Sequence, residues 1–169
     1  MKFNADLANL AYQNILDNAP RFQVVLFEGG LVSPTELNNN FNSGATSPVL
    51  NNLPGVISLC NGRGGKVVAV AEVTRSLFPA MNTAPAMNVN LQFKQVPLTV
   101  VNAGSPTWYL MMVRNAAISY NAAGLSWFNF TGSVSAYGGG GDMEVEDLFT
   151  PLNTSKRVVN IRFRQRLPL

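Results

Sequence analysis

The feature that most limits the fold of this chain is the regular spacing of its apolar runs. Short runs rich in Val, Ile, Leu and Phe recur about every ten to twenty residues, separated by Gly, Pro and Asn. Such a pattern is typical of antiparallel β proteins rather than of alternating β and α units. It predicts a mainly β chain, an antiparallel β-sandwich of the jelly-roll type that forms a single domain over residues 1–169.

Nine runs carry this interpretation, and the clearest alternates apolar and polar residues from Asn88 to Lys94. The segments 56–60 and 66–73 are both apolar and are joined by Asn61-Gly62-Arg63-Gly64-Gly65, which is a hairpin signal with Arg63 at its tip. The other expected strands are 22–28, 97–102, 107–114, 125–135, 143–149 and 158–167.

Two segments predict helix. In residues 1–20, Asn4 is a good N-cap, and Leu7 and Leu10 begin an apolar face. We expect this helix to pack on its own domain or to dock on a neighbouring subunit. Ser33 and Glu36 have the spacing of a capping box, which predicts a short helix immediately after Ser33.

The inventory of reactive side chains argues against an enzyme. The chain has no histidine, which is the commonest general base and metal ligand, and Cys60 is its one cysteine. Nine acidic residues remain, and no spacing among them matches a known cation loop. We therefore expect no catalytic residues, no metal, no cofactor and no small-molecule substrate.

Two charged rows are the strongest candidates for contact surfaces. In the last expected strand, Arg162, Arg164 and Arg166 alternate with apolar residues and therefore share one face. Asp142, Glu144 and Glu146 alternate in the same way. The two rows predict an arginine–carboxylate ladder, either between strands of one chain or between copies. Nucleic acid is a less favoured partner, because aromatic residues for base stacking do not interleave with the arginines.

The surface composition favours a protein that is covered by neighbours. Only 12% of the residues are charged, about half the usual share. No apolar run is long enough to span a bilayer, and the first twenty residues lack the apolar core of a signal peptide. These features predict no membrane association and repeated contacts with other protein subunits.

Several short motifs resemble a known group of proteins. They are VVLFEGGLVSPTEL, VVAVAEV, Thr107-Trp108-Tyr109-Leu110, Gly132-Ser133-Val134 and Gly141-Asp142-Met143-Glu144-Val145, followed by a closing strand and a terminal Leu-Pro-Leu. In this order they resemble small β-sandwich structural proteins of tailed bacteriophages. The resemblance implies a virion component, made in the bacterial cytoplasm, that contacts copies of itself and other virion proteins as capsid decoration, neck, collar or tail accessory.

Two other functions stay open at this stage. A receptor- or carbohydrate-binding domain on the virion would use exposed aromatic side chains, for which Trp108, Tyr109, Trp127, Phe128 and Phe130 are the candidates. A small hydrolase of cell-wall or capsule polymers would use Asp142 or Glu144. In the favoured hypothesis the contact residues are Arg162, Arg164, Arg166, Asp142, Glu144, Glu146, Arg63, Leu7 and Leu10.

Overall fold

A computed structural model of the chain describes residues 21–33, 35–37, 49–74, 88–114, 124–126, 129–146 and 156–166. Within these residues the structure has nine strands and one α-helix of more than a single turn. They are β1 (Arg21–Glu28), β2 (Val49–Asn51), α1 (Leu53–Gly62), β3 (Lys66–Thr74), β4 (Asn88–Val100), β5 (Trp108–Arg114), β6 (Gly124–Ser126), β7 (Asn129–Ala136), β8 (Met143–Val145) and β9 (Lys156–Arg166).

The main sheet closes on itself, so the expected β-sandwich is wrong. Seven strands form a closed barrel in the order β1-β3-β4-β9-β8-β7-β5, while β2 and β6 form a separate two-stranded sheet. Closure depends on β1, which pairs antiparallel with both β3 and β5. The pattern of alternating apolar residues does not distinguish the two folds, because one face of every strand is buried in a sandwich and in a barrel alike.

The inside of the barrel is filled by side chains. Inward positions of all seven strands form one apolar cluster, in which Phe93 packs edge-to-face on both Phe22 and Phe163. The rest of that cluster is Val24, Leu26, Val68, Ala69, Ala71, Val73, Val96, Leu98, Tyr109, Met111, Ala136, Met143, Val145, Val159 and Ile161.

A second apolar cluster covers the outside of β1, β3 and β5. Helix α1 supplies Leu53, Val56 and Cys60, and β1 supplies Val25 and Phe27. Strand β1 is therefore buried on both faces, from Phe22 to Phe27. This explains why its sequence reads as a continuous apolar run rather than as an alternating one.

The expected strand at residues 56–60 is wrong, because these residues belong to α1. Asn52 is the N-cap, and its side chain accepts a hydrogen bond from Gly55 N at 3.1 Å. Pro54 lies in the first turn, where a missing N–H costs nothing. Leu53, Val56 and Cys60 follow the helical spacing of buried positions. A short apolar run is compatible with either structure until its neighbours are known.

The predicted capping box is confirmed. The Ser33 amide donates to Glu36 Oε2 at 3.0 Å, and the Glu36 amide donates to Ser33 Oγ at 3.3 Å, with a helical turn at residues 35–37. The expected helix in residues 1–20, with Leu7 and Leu10, lies outside the described residues. In the part of the chain that is described, no helix is long and apolar enough to span a membrane.

Candidate functional site

The two predicted charged rows meet at one position. Strand β8 runs antiparallel to β9, with Glu144 directly opposite Arg162. Arg162 Nη1 lies 3.2 Å from Glu144 Oε2, and the Glu144 side chain has no solvent exposure while that of Arg162 is 29% exposed. A fully buried carboxylate needs such a partner, because an uncompensated charge there would be very costly. The intramolecular form of the predicted ladder therefore exists at this pair.

The other two acids of the row bind elsewhere. Asp142 Oδ2 accepts hydrogen bonds from the amide and hydroxyl of Ser133 at 2.9 and 2.8 Å, and the Asp142 amide donates to Ser133 Oγ at 3.1 Å. Glu146 Oε2 accepts from the Asn160 side chain. Since β8 extends only over Met143–Val145, Asp142 and Glu146 lie beyond its ends. The row expected from alternation is thus interrupted.

Asn160 connects three segments of the barrel. Its backbone carbonyl accepts from the Glu146 amide at 3.1 Å, and its side-chain oxygen accepts from the Gln95 amide at 3.0 Å. Gln95 has φ 54°, in the left-handed region, and lies in a β-bulge where the β4–β9 register shifts between Phe93 and Val96. Asn160 therefore satisfies an amide that the bulge takes out of the ladder.

Arg164 and Arg166 have different neighbours from Arg162. In β4, Asn90 lies directly opposite Arg164 and Asn88 opposite Arg166. The register of β8 with β9 ends at Phe163, so Arg164 and Arg166 lie beyond the paired part of β8. The side chains of these two arginines lie outside what the structure describes.

The four-glycine segment forms a tight loop between two parallel strands. Val134 of β7 lies opposite Met143 of β8, and a connection of residues 137–142 joins them. Parallel strands usually need about a dozen connecting residues. This loop is shorter because Gly140 takes φ 79° and because a Cβ on Gly141 would lie 2.8 Å from Ser135 Oγ. We call residues 137–142 the glycine loop.

The glycine loop binds the buried carboxylate. The Gly140 amide donates to Glu144 Oε1 at 3.1 Å, so both oxygens of Glu144 have a partner. The guanidinium of Arg162 also lies over the Tyr137 ring, 4.6 Å from its centroid. Loop, carboxylate and arginine thus form one structural unit at the β7–β8–β9 seam.

Arg63 lies at the C-terminal end of α1 and is held in place rather than at a free hairpin tip. Its guanidinium binds both oxygens of Glu36, with Nη1 3.0 Å from Oε2, and donates to the Leu31 carbonyl at 2.8 Å. Hydrogen bonding from Arg63 and then from Ser33 lowers the pKa of Glu36 from 4.5 to about 2. The same guanidinium–carboxylate pair raises the pKa of Arg63. This bidentate pair fastens the 31–37 segment to α1.

A second ion pair closes the same end of the barrel. Lys66 Nζ lies 2.9 Å from Glu28 Oε2, and the Ser105 amide donates to Glu28 Oε1 at 3.2 Å. The hydrogen bonds from Lys66 and Ser105 lower the pKa of Glu28. Cys60 is buried beside this end, and burial raises the pKa of its thiol. The contacts of Glu28 with Lys66 and Ser105 join three segments of the chain, and they do not bring a nucleophile together with a base.

The aromatic residues of the expected strands pack inside the protein where the structure describes them. Trp108 stacks on Phe27 with ring centroids 4.0 Å apart and donates through Nε1 to the Gly29 carbonyl at 2.7 Å. Tyr109 packs edge-to-face on Phe163. Trp127 and Phe128 and the side chain of Phe130 lie outside what the structure describes. Trp108 and Tyr109 are therefore unavailable to a carbohydrate platform.

The sequence foresaw the arginine–carboxylate contact, and its four consecutive glycines indicate a turn, but it did not indicate the hydrogen-bonding roles of Asn160, Ser133 and the glycine loop. In the described residues, no three Cys, Asp or Glu side chains converge in a way that could hold a metal ion. No protein-family model, no curated protein and no solved structure matches this chain.

Proposed function

We propose that this protein is a structural component of a tailed-phage virion that acts through repeated contacts with copies of itself and with other virion proteins. Capsid decoration, neck, collar and tail accessory are the positions that the motif resemblance implies. The proposal does not assign any chemistry to the chain.

The observation that carries the proposal is the difference between the two walls of the barrel. The outside of β1, β3 and β5 is covered by α1 and the segments beside it. Strands β4 and β9 follow β3 in the ring, and there Pro97 is directly opposite Val158, which is 66% exposed. An exposed apolar pair on the outside of a barrel favours a contact surface.

The use of the acidic residues supports a structural role as well. Asp142, Glu144 and Glu146 are all held by neighbouring strands and are not directed together into a cleft. The hydrogen bonds between Asp142 and Ser133 also link the Gly132-Ser133-Val134 motif to the motif that begins at Gly141. Two of the motifs on which the resemblance rests therefore form one unit in the fold.

Size-exclusion chromatography with light scattering on the purified protein is the first experiment. We expect a defined oligomer that Val158→Gln weakens at least tenfold in dissociation constant, because each contact would bury this side chain in every copy. Leu31→Gln is the matched control, since Leu31 is 62% exposed but lies beside the covered wall. A monomer at all concentrations, with no binding to particles assembled without the protein, would overturn the proposal.

A further inference from the structure

One strand of the barrel is much shorter than the two strands between which it lies. Strand β8 has three residues, whereas β7 has eight and β9 has eleven. Val134 is the first residue of β7 that is paired with β8; it is aligned with Met143, and Met143 is aligned with Phe163 of β9. Residues 129–133 of β7 and 164–166 of β9 therefore extend beyond the start of β8.

The chain before β8 turns away from the space between these extensions. The carboxylate of Asp142, immediately before β8, accepts the Ser133 amide at 2.9 Å. The Gly141 amide donates to Ser135 Oγ at 2.9 Å, so Gly141 lies beside the part of β7 that β8 already covers. Within the described residues, no strand is paired with residues 129–132 of β7 or 165–166 of β9 on the β8 side. We call the space between these two segments the β7–β9 gap.

The backbone of β7 directs hydrogen-bonding groups into the β7–β9 gap. The Val134 amide donates to the Thr107 carbonyl, on the side of β5. Alternate residues of a strand direct their backbone groups to opposite sides, so Ser133 and Thr131 face the side of β8. The bond from the Ser133 amide to Asp142 agrees with this direction. The amide and the carbonyl of Thr131 therefore point into the gap.

The β9 edge of the gap has the same arrangement. The Glu146 amide donates to the Asn160 carbonyl, so every second residue from Asn160 to Arg166 directs its backbone towards β8. Arg166 lies three residues past the end of the β8–β9 ladder, and Thr131 lies three residues before the start of the β7–β8 ladder. The two residues are thus level with each other across the gap. Where β8 is present, β7 and β9 are two strand spacings apart, about 9.5 Å, so the gap begins with the width of one missing strand.

The interior of the barrel is less completely covered beside the gap. Tyr109, which lies opposite Gly132 of β7, is 6% exposed, and Met111, two residues further along β5, is 8% exposed. Phe163, at the end of the β8–β9 ladder, is 7% exposed, whereas Phe93 of the same cluster is 1% exposed. An apolar side chain that entered from the gap would cover these partly exposed rings and the methionine.

We propose that the β7–β9 gap accepts an extended segment of a partner protein, which pairs with both edges and places one apolar side chain inside the barrel. An extended peptide is the occupant that fits, because it has alternating N–H and C=O groups on both of its sides. The described strands of this chain are not available for this role, since each already lies in a sheet. The site is separate from the Pro97–Val158 pair, so it does not depend on the oligomeric contact proposed above.

A short synthetic peptide tests the proposal on the wild-type protein. The probe is acetyl-Lys-Ser-Thr-Leu-Thr-amide, in which the leucine can face the interior. We expect saturable binding in an NMR titration, with slower hydrogen exchange of the Thr131 amide and no change at the Val134 amide, which already has a partner. The same peptide N-methylated at both threonines should bind at least about tenfold more weakly, because one of its edges can no longer donate. No binding of the unmodified peptide would overturn the proposal.

Substitutions at Thr131 test the edge itself. Thr131→Pro removes an amide that points into the gap and that β5 does not use, and we expect it to weaken peptide binding at least about fivefold. Thr131→Val is the matched control: both variants lose the hydroxyl that donates to the Tyr109 carbonyl, but valine keeps the amide. Its affinity for the peptide should stay within about twofold of the wild-type value. Equal affinities of the two variants would contradict pairing at this edge.

Two measurements on the wild-type protein decide the matter if Thr131→Pro does not fold. Equal binding of the unmodified and the N-methylated peptide would overturn the proposal. Exchange of the Thr131 amide in the free protein as slow as that of the Val134 amide would also overturn it, because the gap would then be closed by the chain itself. Neither measurement depends on Val158, so failure of the oligomeric contact and failure of the gap site are distinguishable.

Discussion

Glu144 and Arg162 lie opposite each other across β8 and β9, and their ion pair is the point at which the glycine loop is joined to the barrel. The carboxylate is fully buried and also accepts the Gly140 amide, whereas the guanidinium reaches partly to solvent over the Tyr137 ring. Because Glu144 is buried and Arg162 is not, removal of the arginine and removal of the carboxylate should have different effects on stability.

Loss of the arginine should be strongly destabilising. Arg162→Gln leaves the Glu144 charge buried without its cation, and we expect a loss of about 3 kcal/mol in the free energy of unfolding. Urea denaturation followed by circular dichroism measures it. The double variant Glu144→Gln/Arg162→Gln should recover part of the loss, since no buried charge remains.

Glu146→Gln provides the control for that experiment. Glu146 is exposed and accepts a hydrogen bond from Asn160, so replacement of its carboxylate by an amide should cost less than about 1 kcal/mol. If Arg162→Gln cost no more than Glu146→Gln, the buried pair would contribute nothing to joining the loop.

The sequence predicted most strands but not how they join. Two separate strands were expected at 88–94 and 97–102, whereas one strand, β4, covers most of this range. The reason is the bulge at Gln95, which changes the phase of alternation: Phe93 is buried before it, and Val96 and Leu98 after it. A one-residue change of phase in sequence looks like the end of one strand and the start of another.

The candidate site was predictable only where it depends on strand alternation. The contact of Glu144 with Arg162 follows from two alternating rows and a pairing of their strands. The roles of Asn160 and Ser133 depend on backbone amides that a bulge and a tight loop leave without ladder partners. Asn and Ser are common in loops, so the sequence carries no signal that distinguishes these two.

Gly132 should not tolerate even one methyl group. A Cβ there would lie 2.8 Å from both Cβ and Oδ2 of Asp142 and 3.0 Å from the Tyr109 ring. We expect Gly132→Ala to lower the melting temperature, with a loss of about 1–3 kcal/mol. Gly62→Ala in α1 is the matched control: nothing lies within 4 Å of its added Cβ, and alanine favours the helix, so its melting temperature should be equal or higher. Equal losses in both variants would contradict the described packing around Asp142.

The pair of Glu36 and Arg63 should give a measurable pH dependence. The pKa of Glu36 is lowered from 4.5 to about 2 in the folded protein. A carboxyl group with a lower pKa in the folded state adds stability above its unfolded pKa, and that stability is lost as the pH falls from about 4.5 to about 2. NMR titration of the Glu36 carboxyl should show the low midpoint, and Arg63→Gln should move it up towards 4.5. Lys66→Gln should leave it unchanged, and a wild-type midpoint near 4.5 would contradict the pairing.

Replacement of Gln95 by glycine should stabilise the protein, which is unusual within a strand. Gln95 has φ 54°, and a left-handed conformation costs a residue with a side chain about 1–2 kcal/mol. Glycine avoids that cost but gains about 0.5–1 kcal/mol of freedom in the unfolded chain. We therefore expect Gln95→Gly to raise the free energy of unfolding by about 0.5 kcal/mol. Lys94→Gly is the matched control, because Lys94 is also exposed and its φ is not positive, so the same replacement should destabilise. Urea denaturation of both variants decides the matter: effects of the same sign would show that the bulge at Gln95 is not strained.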